Sequence, residues 1–164
     1  MERGTLIAAL LAVTIVGGMI VGGLYWTRHN RLELKGQVLK VRSYSIDQDY
    51  SVAVIDFRVT NPSTSQFVVK DIDITLDTRE GKTLDGAIFS EIDARRLFTY
   101  YKVLGTKFNE TLVIRDKVEA GATVDKMFAV RFTGTDADIQ NRKAIHMSIH
   151  DVDGAVSKIA ELRP

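Results

Sequence analysis

The stretch SVAVIDFRVTNPS, residues 51–63, decides the fold class of this chain. Its side chains alternate between two faces, with one face made of Ala53, Ile55, Phe57 and Val59 and the other of Val52, Val54 and Asp56. A period of two residues, with β-branched and aromatic side chains, is typical of a strand in an antiparallel sheet. The following Asn61-Pro62-Ser63 predicts a turn. Asp56 lies between apolar neighbours, so we expect its carboxylate to accept hydrogen bonds from a loop backbone.

The same alternation recurs along most of the chain. It is found in QFVVKDIDITLDT at 66–78 and more weakly in residues 39–43. Later apolar runs cover 111–118, 122–132, 144–152 and 155–162. Turns are predicted at Glu80-Gly81-Lys82 and Glu119-Ala120-Gly121, and Asp153-Gly154 predicts a two-residue hairpin. About seven strands of this kind predict an all-β fold, an immunoglobulin-like antiparallel β-sandwich, over residues 36–164.

One helix is predicted inside the sandwich, at about residues 90–104. Ser90 is a suitable N-cap and Gly105 can end the helix. Leu97, Tyr101 and Leu104 share one face, which we expect to pack on the sandwich and cover an open end of its core. Phe98 and Tyr100 then face a second surface, where they could contact a partner or lipid.

The amino-terminal segment has the features of a single retained transmembrane helix, with a cleaved secretory signal and a buried helix of a soluble domain as the alternatives. After a short tail (1–4), residues 5–26 contain no charged side chain. A helix of this length spans about 33 Å, enough to cross a hydrocarbon core of about 30 Å. Residues 27–35 form a basic juxtamembrane linker. The side chains expected at the membrane interface are Tyr25, Trp26, Arg28 and Arg31.

The predicted span also contains small residues that could contact another helix. Gly18 and Gly22 form a GxxxG motif, which allows two helix backbones to approach closely in lipid. Gly4 and Ala8 extend the same sector of the helix, although Leu11 and Ile15 interrupt it. A specific helix partner is one interpretation, and the general abundance of glycine in membrane helices is the other.

The orientation of the anchor has two readings. A β domain behind an N-terminal anchor is most often exported, which favours an extracytoplasmic (periplasmic) domain at the cell membrane. The basic residues after the span, Arg28, Arg31 and Lys35, favour a cytoplasmic domain instead. We expect the extracytoplasmic arrangement and keep the cytoplasmic one as the alternative.

Composition excludes several classes of function. The chain has 22 basic and 21 acidic residues, a formal net charge of +1, so no nucleic-acid partner is expected. It contains no cysteine, which excludes disulfides, thiolate metal sites and cysteine nucleophiles. No phosphate-binding glycine loop, dinucleotide fingerprint or nucleophile elbow is present, so we expect no cofactor and no small-molecule substrate.

One group of residues has the composition of a metal site, namely His146, His150, Asp151 and Asp153. Histidines four apart could share an ion on a helix. On the predicted strand they lie about 13 Å apart, too far for one ion. We therefore predict no metal site, and hairpin chemistry accounts for Asp151-Val152-Asp153-Gly154.

Three short motifs resemble those of the water-stress and hypersensitive-response (WHy) domain, the late-embryogenesis-abundant type 2 fold. They are V-x-V-x-D-F-x-V-T-N-P-S at 52–63, F-V-V-x-D-I-D-I-T-L-D at 67–77 and E-A-G-A-T at 119–123. The chain is similarly close to small bacterial immunoglobulin-like domains found behind lipoprotein signals or anchors. The resemblance covers about residues 36–133, and the helix at 90–104 departs from it. It implies a binding or protective module without catalytic residues.

Three functions are therefore expected, in this order. The first is a membrane-anchored, non-catalytic interaction module that serves as an accessory or assembly subunit of a membrane or envelope complex. The second is a free-standing WHy-like stress or envelope protein without a fixed partner. The third is a ligand-binding or hydrolytic domain that uses residues 146–153.

Overall fold

A computed structural model describes residues 12–23 and 33–162 of the chain. The chain divides into two compact units between Arg31 and Leu32. In the first unit, residues 12–23 form a helix, α1, which includes Gly18 and Gly22. Among the described residues, no helix combines the length and the apolar character needed to cross a membrane. Residues 5–11 and 24–26 of the predicted span lie outside the described part.

The second unit is an all-β domain, which confirms the predicted fold class. Its eight strands are β1 (Lys35–Ser45), β2 (Tyr50–Thr60), β3 (Phe67–Asp77), β4 (Thr83–Ile88), β5 (Lys117–Val118), β6 (Thr123–Thr133), β7 (Ala144–Asp151) and β8 (Val156–Leu162). Two α-helices join them, α2 (Glu91–Tyr100) and α3 (Asp136–Gln140). The predicted turns at Asn61 and at Gly81 are present, and Ser90 caps α2 by accepting a hydrogen bond from the amide of Asp93.

The strands form two sheets that share β4. The first sheet contains β1, β2, β6 and the second half of β4, and the second contains the first half of β4 with β3, β7 and β8. All these neighbours are antiparallel. This is the order in which an immunoglobulin-type sandwich arranges its ABED and CFG sheets.

Strand β4 crosses from one sheet to the other. Its residues 83–85 pair with β3, whereas Gly86–Ile88 pair with β6. A Cβ atom on Gly86 would lie 2.5 Å from Val130 Cγ1 and 3.0 Å from the Ile74 carbonyl oxygen. Only glycine fits at this crossing, because the strand passes so close to the side chains and backbone of both sheets.

The inner core fills the space between the sheets. It includes Ile55, Phe57, Phe67, Leu76, Phe128 and Ile149, which are fully buried. The rings of Phe57 and Phe128 stack with centroids 4.6 Å apart. Each fully buried side chain of this size stabilises the fold by about 1.5–3 kcal/mol relative to exposure.

A second core lies on the outer face of the first sheet, beneath α2. It joins Val52, Val54, Met127 and Ala129 of the sheet to Ala94, Leu97, Phe98 and Leu104. The helix therefore covers a sheet face, and the expectation that it closes an open end of the sandwich is wrong. Phe98 is buried in this core, so its predicted place on a partner-facing surface is also wrong. Tyr100 is exposed, as expected.

Three further segments differ from the sequence-based expectation. Of the predicted strand at 111–118, only Lys117–Val118 forms a strand, and the residues before it run from one sheet to the other. Strand β4 and helix α3 are additional, and α3 begins at Thr135 with a capping box closed by Asp138. The β7–β8 connection has four residues, 152–155, rather than two; the Asp151 amide donates to the Ala155 carbonyl across it, and Gly154 adopts a φ of +89°.

Candidate interaction site

The two histidines of the candidate metal group lie on the outer face of the second sheet. His146 Nε2 is 3.1 Å from Asp77 Oδ2, and His150 Nε2 is 3.0 Å from Asp73 Oδ2. Each histidine therefore has its own carboxylate on the neighbouring strand β3. In the described part of the chain, no three His, Asp or Glu side chains come together as a metal-ion site.

The two aspartates of that group are not part of a shared site. The carboxylate of Asp151 is buried and accepts hydrogen bonds from the amides of Val68 and Asp153, at 2.7 and 2.8 Å. It therefore fixes the β7–β8 turn to β3. Asp153 is exposed in the β7–β8 turn.

An open cleft lies where β4 leaves β3. Two segments cross between the sheets here, β4 in one direction and residues 111–118 in the other. Leu112 donates to the Met127 carbonyl on the first sheet, and Arg115 donates to the Val69 carbonyl on the second, at 3.1 and 2.7 Å. Arg115 makes this turn with a φ of +74°, an uncommon conformation for a residue other than glycine.

The cleft between these two crossings has a volume of about 480 Å³. Its lining is mainly apolar, and one carboxylate lies among the lining residues. The lining side chains belong to Asp71, Ile72, Ile88, Phe89, Leu112 and Ile114. Ile114 is 58% exposed although it is a large apolar side chain. Exposed apolar surface next to a cavity is typical of binding sites.

One backbone group of β3 faces this cleft. The Ile72 amide donates to the carboxylate of Asp71 at 2.9 Å. Residues on either side have strand partners, since Val69 bonds to the 115–116 segment and Thr75 opposes Asp85 of β4. Asp71 thus satisfies an amide at the point where β3 pairs with β7 but has no strand on its other side, and its carboxylate lies at the edge of the cleft.

A buried ion pair attaches the helix region to the first sheet. Arg42 Nη2 lies 2.8 Å from Asp56 Oδ2, and Asn109 donates to the other carboxylate oxygen at 2.9 Å. Arg42 also donates to the carbonyls of Leu104 and Thr106. Asp56 therefore binds side chains, and the loop carbonyls are bound by its partner Arg42. The rings of Phe98 and Phe108 lie 5.3 and 5.5 Å from the guanidinium carbon.

A second polar network holds the start of α2. Glu91 contacts Arg95 Nε at 2.7 Å and Lys107 Nζ at 3.0 Å, and it accepts from the Thr111 amide at 3.0 Å. Burial alone raises the pKa of Glu91, but the hydrogen bonds from Thr111, Lys107 and Arg95 outweigh it and lower the pKa to about 2. The carboxylate therefore stays charged and ties the helix to the loop that leads to the cleft.

The other predicted site residues have mixed outcomes. Gly18 and Gly22 lie in α1, and no side chain of the described residues lies within 4 Å of the Cβ position at either. Gly4, Ala8, Tyr25, Trp26, Arg28 and Arg31 lie outside the described residues. The cleft itself is not predicted by the sequence, because it is created by two chain crossings. The local sequence features at this place are Gly86, which precedes the apolar run Ala87-Ile88-Phe89, and the consecutive apolar residues Leu112-Val113-Ile114.

No protein-family model matches the chain, and no curated protein matches its sequence. Three solved structures resemble the fold. An ApaG protein from Pseudomonas aeruginosa has 13% identity and a TM-score of 0.38, with 73% of this chain and 95% of that chain covered. A functionally unknown protein from Listeria monocytogenes has 12% identity and a TM-score of 0.45, with coverages of 82% and 79%. The archaellum periplasmic stator complex of FlaF and FlaG from Sulfolobus acidocaldarius has 8% identity and a TM-score of 0.33, with coverages of 77% and 87%. Likenesses of this size carry no functional argument.

Proposed function

We propose that this protein is a single-pass, membrane-anchored, non-catalytic interaction module whose cleft receives an apolar segment of a protein partner. The anchor is the uncharged segment 5–26, and the domain is extracytoplasmic. The observation that carries the proposal is the open apolar cleft beside β3 and β4, with Ile114 exposed at its side.

The size and chemistry of the cleft favour a side chain as the occupant. Its volume of about 480 Å³ suits one or two bulky apolar groups. Apolar anchors that fill such a pocket supply most of the binding free energy in many protein interfaces. Asp71 at the edge adds a negative charge, so the complementary segment carries a basic residue next to its apolar anchor.

The polar groups around the cleft support a non-catalytic role. Ser90 is the hydroxyl residue in the lining, and its Oγ both accepts from the Asp93 amide and donates to the Asp93 carboxylate. It caps α2 and has no histidine beside it in the described region. A nucleophile needs an adjacent base within hydrogen-bond reach, and neither His146 nor His150 lines this cleft.

The anchor supplies a second contact with the same complex. A helix with Gly18 and Gly22 on one face can pack closely against a neighbouring membrane helix. An accessory subunit of a membrane complex would use both contacts, one in the bilayer and one at the cleft.

The experiment that tests this proposal is the native mass of the full-length protein extracted from its own membranes in mild detergent. We expect a mass well above 18.3 kDa plus detergent, with a second protein in a fixed ratio. Ile114→Asp should release that protein, because it places a charge at the side of the cleft without touching the core. Val152→Asp, at an equally exposed apolar residue of the β7–β8 turn, should leave the complex intact.

A monomer or a pure homodimer in the wild-type extract, unchanged by Gly18→Leu with Gly22→Leu, would contradict the proposal. The free-standing WHy-like module would then be the better account. A complex that survives Ile114→Asp would place the partner on another surface. Full extraction of the protein by alkaline carbonate would contradict the anchor.

A further inference from the structure

Helix α2 presents a surface that the cleft does not use. Ala94, Leu97 and Phe98 face the sheet, so the residues on the opposite side of the helix face solvent. That side mixes large apolar with basic side chains, and the 3-10 turn Lys102–Leu104 continues the mixture. We call this surface the α2 face; its large apolar and basic members are Ile92, Arg95, Arg96, Tyr100, Lys102 and Val103, and Asp93 and Thr99 are exposed among them.

The apolar members of the α2 face are unusually exposed. Tyr100 is 79% and Val103 68% exposed, and Ile92 is 64% exposed. Three large apolar side chains exposed together on one helix and its adjoining turn are typical of an interaction surface. Their spacing around Arg95 and Arg96 is typical of helices that lie in the plane of a bilayer interface, with apolar and aromatic groups inserted and basic groups at the headgroups.

The charge of the domain is divided between its two sides. Between residues 91 and 108 there are four basic residues and two acidic ones, for a net charge of +2. Three of the four basic residues pair with these carboxylates, Arg95 and Lys107 with Glu91 and Arg96 with Asp93, so the segment keeps its net charge of +2. The outer face of the second sheet, on the opposite side of the sandwich, carries Asp71, Asp73 and Asp77 on β3. An anionic surface would attract the first side and repel the second.

The α2 face is also held rigidly. The Glu91 network fixes the start of the helix, and Arg42 binds the carbonyl of Leu104, at the end of the 3-10 turn, and that of Thr106 just after it. Binding through this face therefore costs little ordering of the chain.

We propose that the α2 face lies against the anionic headgroup surface of a lipid bilayer. Val103, Ile92 and Tyr100 enter the interfacial region, and Arg95, Arg96 and Lys102 contact lipid phosphates. The inference rests on the proposed anchoring, because residues 5–26 would keep the domain near a bilayer. It adds the side of the domain that meets lipid and leaves the cleft free for the protein partner.

The absence of cysteine allows a direct test in the full chain. Val103→Cys is labelled with a polarity-sensitive fluorophore, and Lys158→Cys on β8 of the second sheet serves as the matched control, since both side chains are exposed. Each variant is reconstituted into bilayers of phosphatidylcholine with phosphatidylglycerol and into phosphatidylcholine alone. A quencher attached to the lipid headgroup reports proximity.

We expect the label at residue 103 to shift to the blue and be quenched in the anionic bilayers, and the label at residue 158 to remain in water. Arg96→Gln should lower the apparent affinity for anionic lipid, measured from the quenching, by roughly five-fold, as expected for one basic residue at a charged surface. High salt should have the same direction of effect.

Equal exposure of the two labels in anionic bilayers would overturn the inference. So would a label at residue 103 that is protected in native membranes but not in pure lipid, since that result assigns the α2 face to a protein. Carbonate extraction of the same samples is scored separately. Loss of the anchor with quenching retained would contradict the proposed anchoring and leave the α2 face on lipid.

Discussion

The outer faces of the two sheets differ in what covers them. On the first sheet, Val52 and Val54 are fully buried beneath α2, and Arg42 and Asp56 form an ion pair there. On the second sheet, Asp73 and Asp77 remain at the surface and pair with histidines of β7. A basic side chain therefore meets a carboxylate on both faces, in a buried core on the first sheet and at the surface on the second. Burial distinguishes the two contacts, because it removes the water that would otherwise solvate a lone charge.

The largest difference between the two faces is expected when the buried carboxylate of Asp56 is removed. Asp56→Ala leaves the guanidinium of Arg42 beneath the helix region without its counter-charge. We expect the free energy of unfolding to fall by about 3–5 kcal/mol. The measurement is urea unfolding of the full chain in mild detergent, monitored by circular dichroism.

The matched control for that variant is Asp125→Ala. Asp125 forms a two-bond ion pair with Arg58 between β2 and β6, the same two strands, but at the exposed surface. We expect its unfolding midpoint to stay close to that of the wild type, because exposed pairs contribute little. Equal losses for Asp56→Ala and Asp125→Ala would mean that the outer core does not exclude water.

The second core can be tested by truncating one of its apolar members. Leu104→Ala should lower the free energy of unfolding by about 2–5 kcal/mol, since it leaves a cavity under the helix region. Its chain neighbour Val103 is exposed, and Val103→Ala should change the value by less than about 0.5 kcal/mol. An unchanged Leu104→Ala would show that α2 rests loosely on the sheet.

The difference between the two faces can be partly predicted from the sequence. In β2, the run VAVIDF has apolar residues at consecutive positions, which is typical of a strand buried on both faces. In β3, DIDITLD alternates strictly, so one face must be polar. The all-β class, most strands and the Ser90 cap follow from such local patterns. The partner of Asp56 does not, because Arg42 and Asp56 meet only through the register of β1 with β2.

The cleft cannot be predicted from local sequence patterns, for a related reason. Three residues of β4 pair in each sheet, and the change from one sheet to the other depends on the close packing of Gly86 against Val130. The apolar run in segment 111–118 predicts a strand, but the segment crosses between the sheets and so forms few ladder hydrogen bonds. Helical spacing from Leu97 predicts an exposed Phe98, whereas the helix packs a broader apolar stripe of Ala94, Leu97 and Phe98 against the sheet.

The pH dependence of the free energy of unfolding tests the contribution of Glu91 at the start of α2. Its pKa is lowered to about 2, so the stabilisation is complete above the ordinary carboxyl range and is lost as the pH falls from about 4.5 toward 2. We expect wild type to exceed Glu91→Gln in stability by on the order of 1 kcal/mol at neutral pH, after allowance for solvent screening. Unfolding curves at several pH values should converge in that acidic window. A constant gap down to pH 2 would contradict the assignment.

The smallest expected effect concerns Asp77 on the open face. The hydrogen bond from Thr83 is the main cause that lowers its pKa, and the contact with His146 is the second. Thr83→Val should therefore raise the pKa of Asp77 more than His146→Gln does, as followed by carboxyl-carbon NMR. A larger rise in His146→Gln would mean that the histidine pair dominates this face.

The central claim is that a protein partner occupies the cleft, and position-specific photo-crosslinking in native membranes tests it most directly. A photoreactive phenylalanine analogue is placed at Ile114, beside the cleft, and at Val152 as the control. The account predicts one discrete crosslinked product from residue 114, absent from residue 152 and lost when Asp71→Lys reverses the charge at the cleft edge. No product from residue 114, or the same products from both residues, would contradict it.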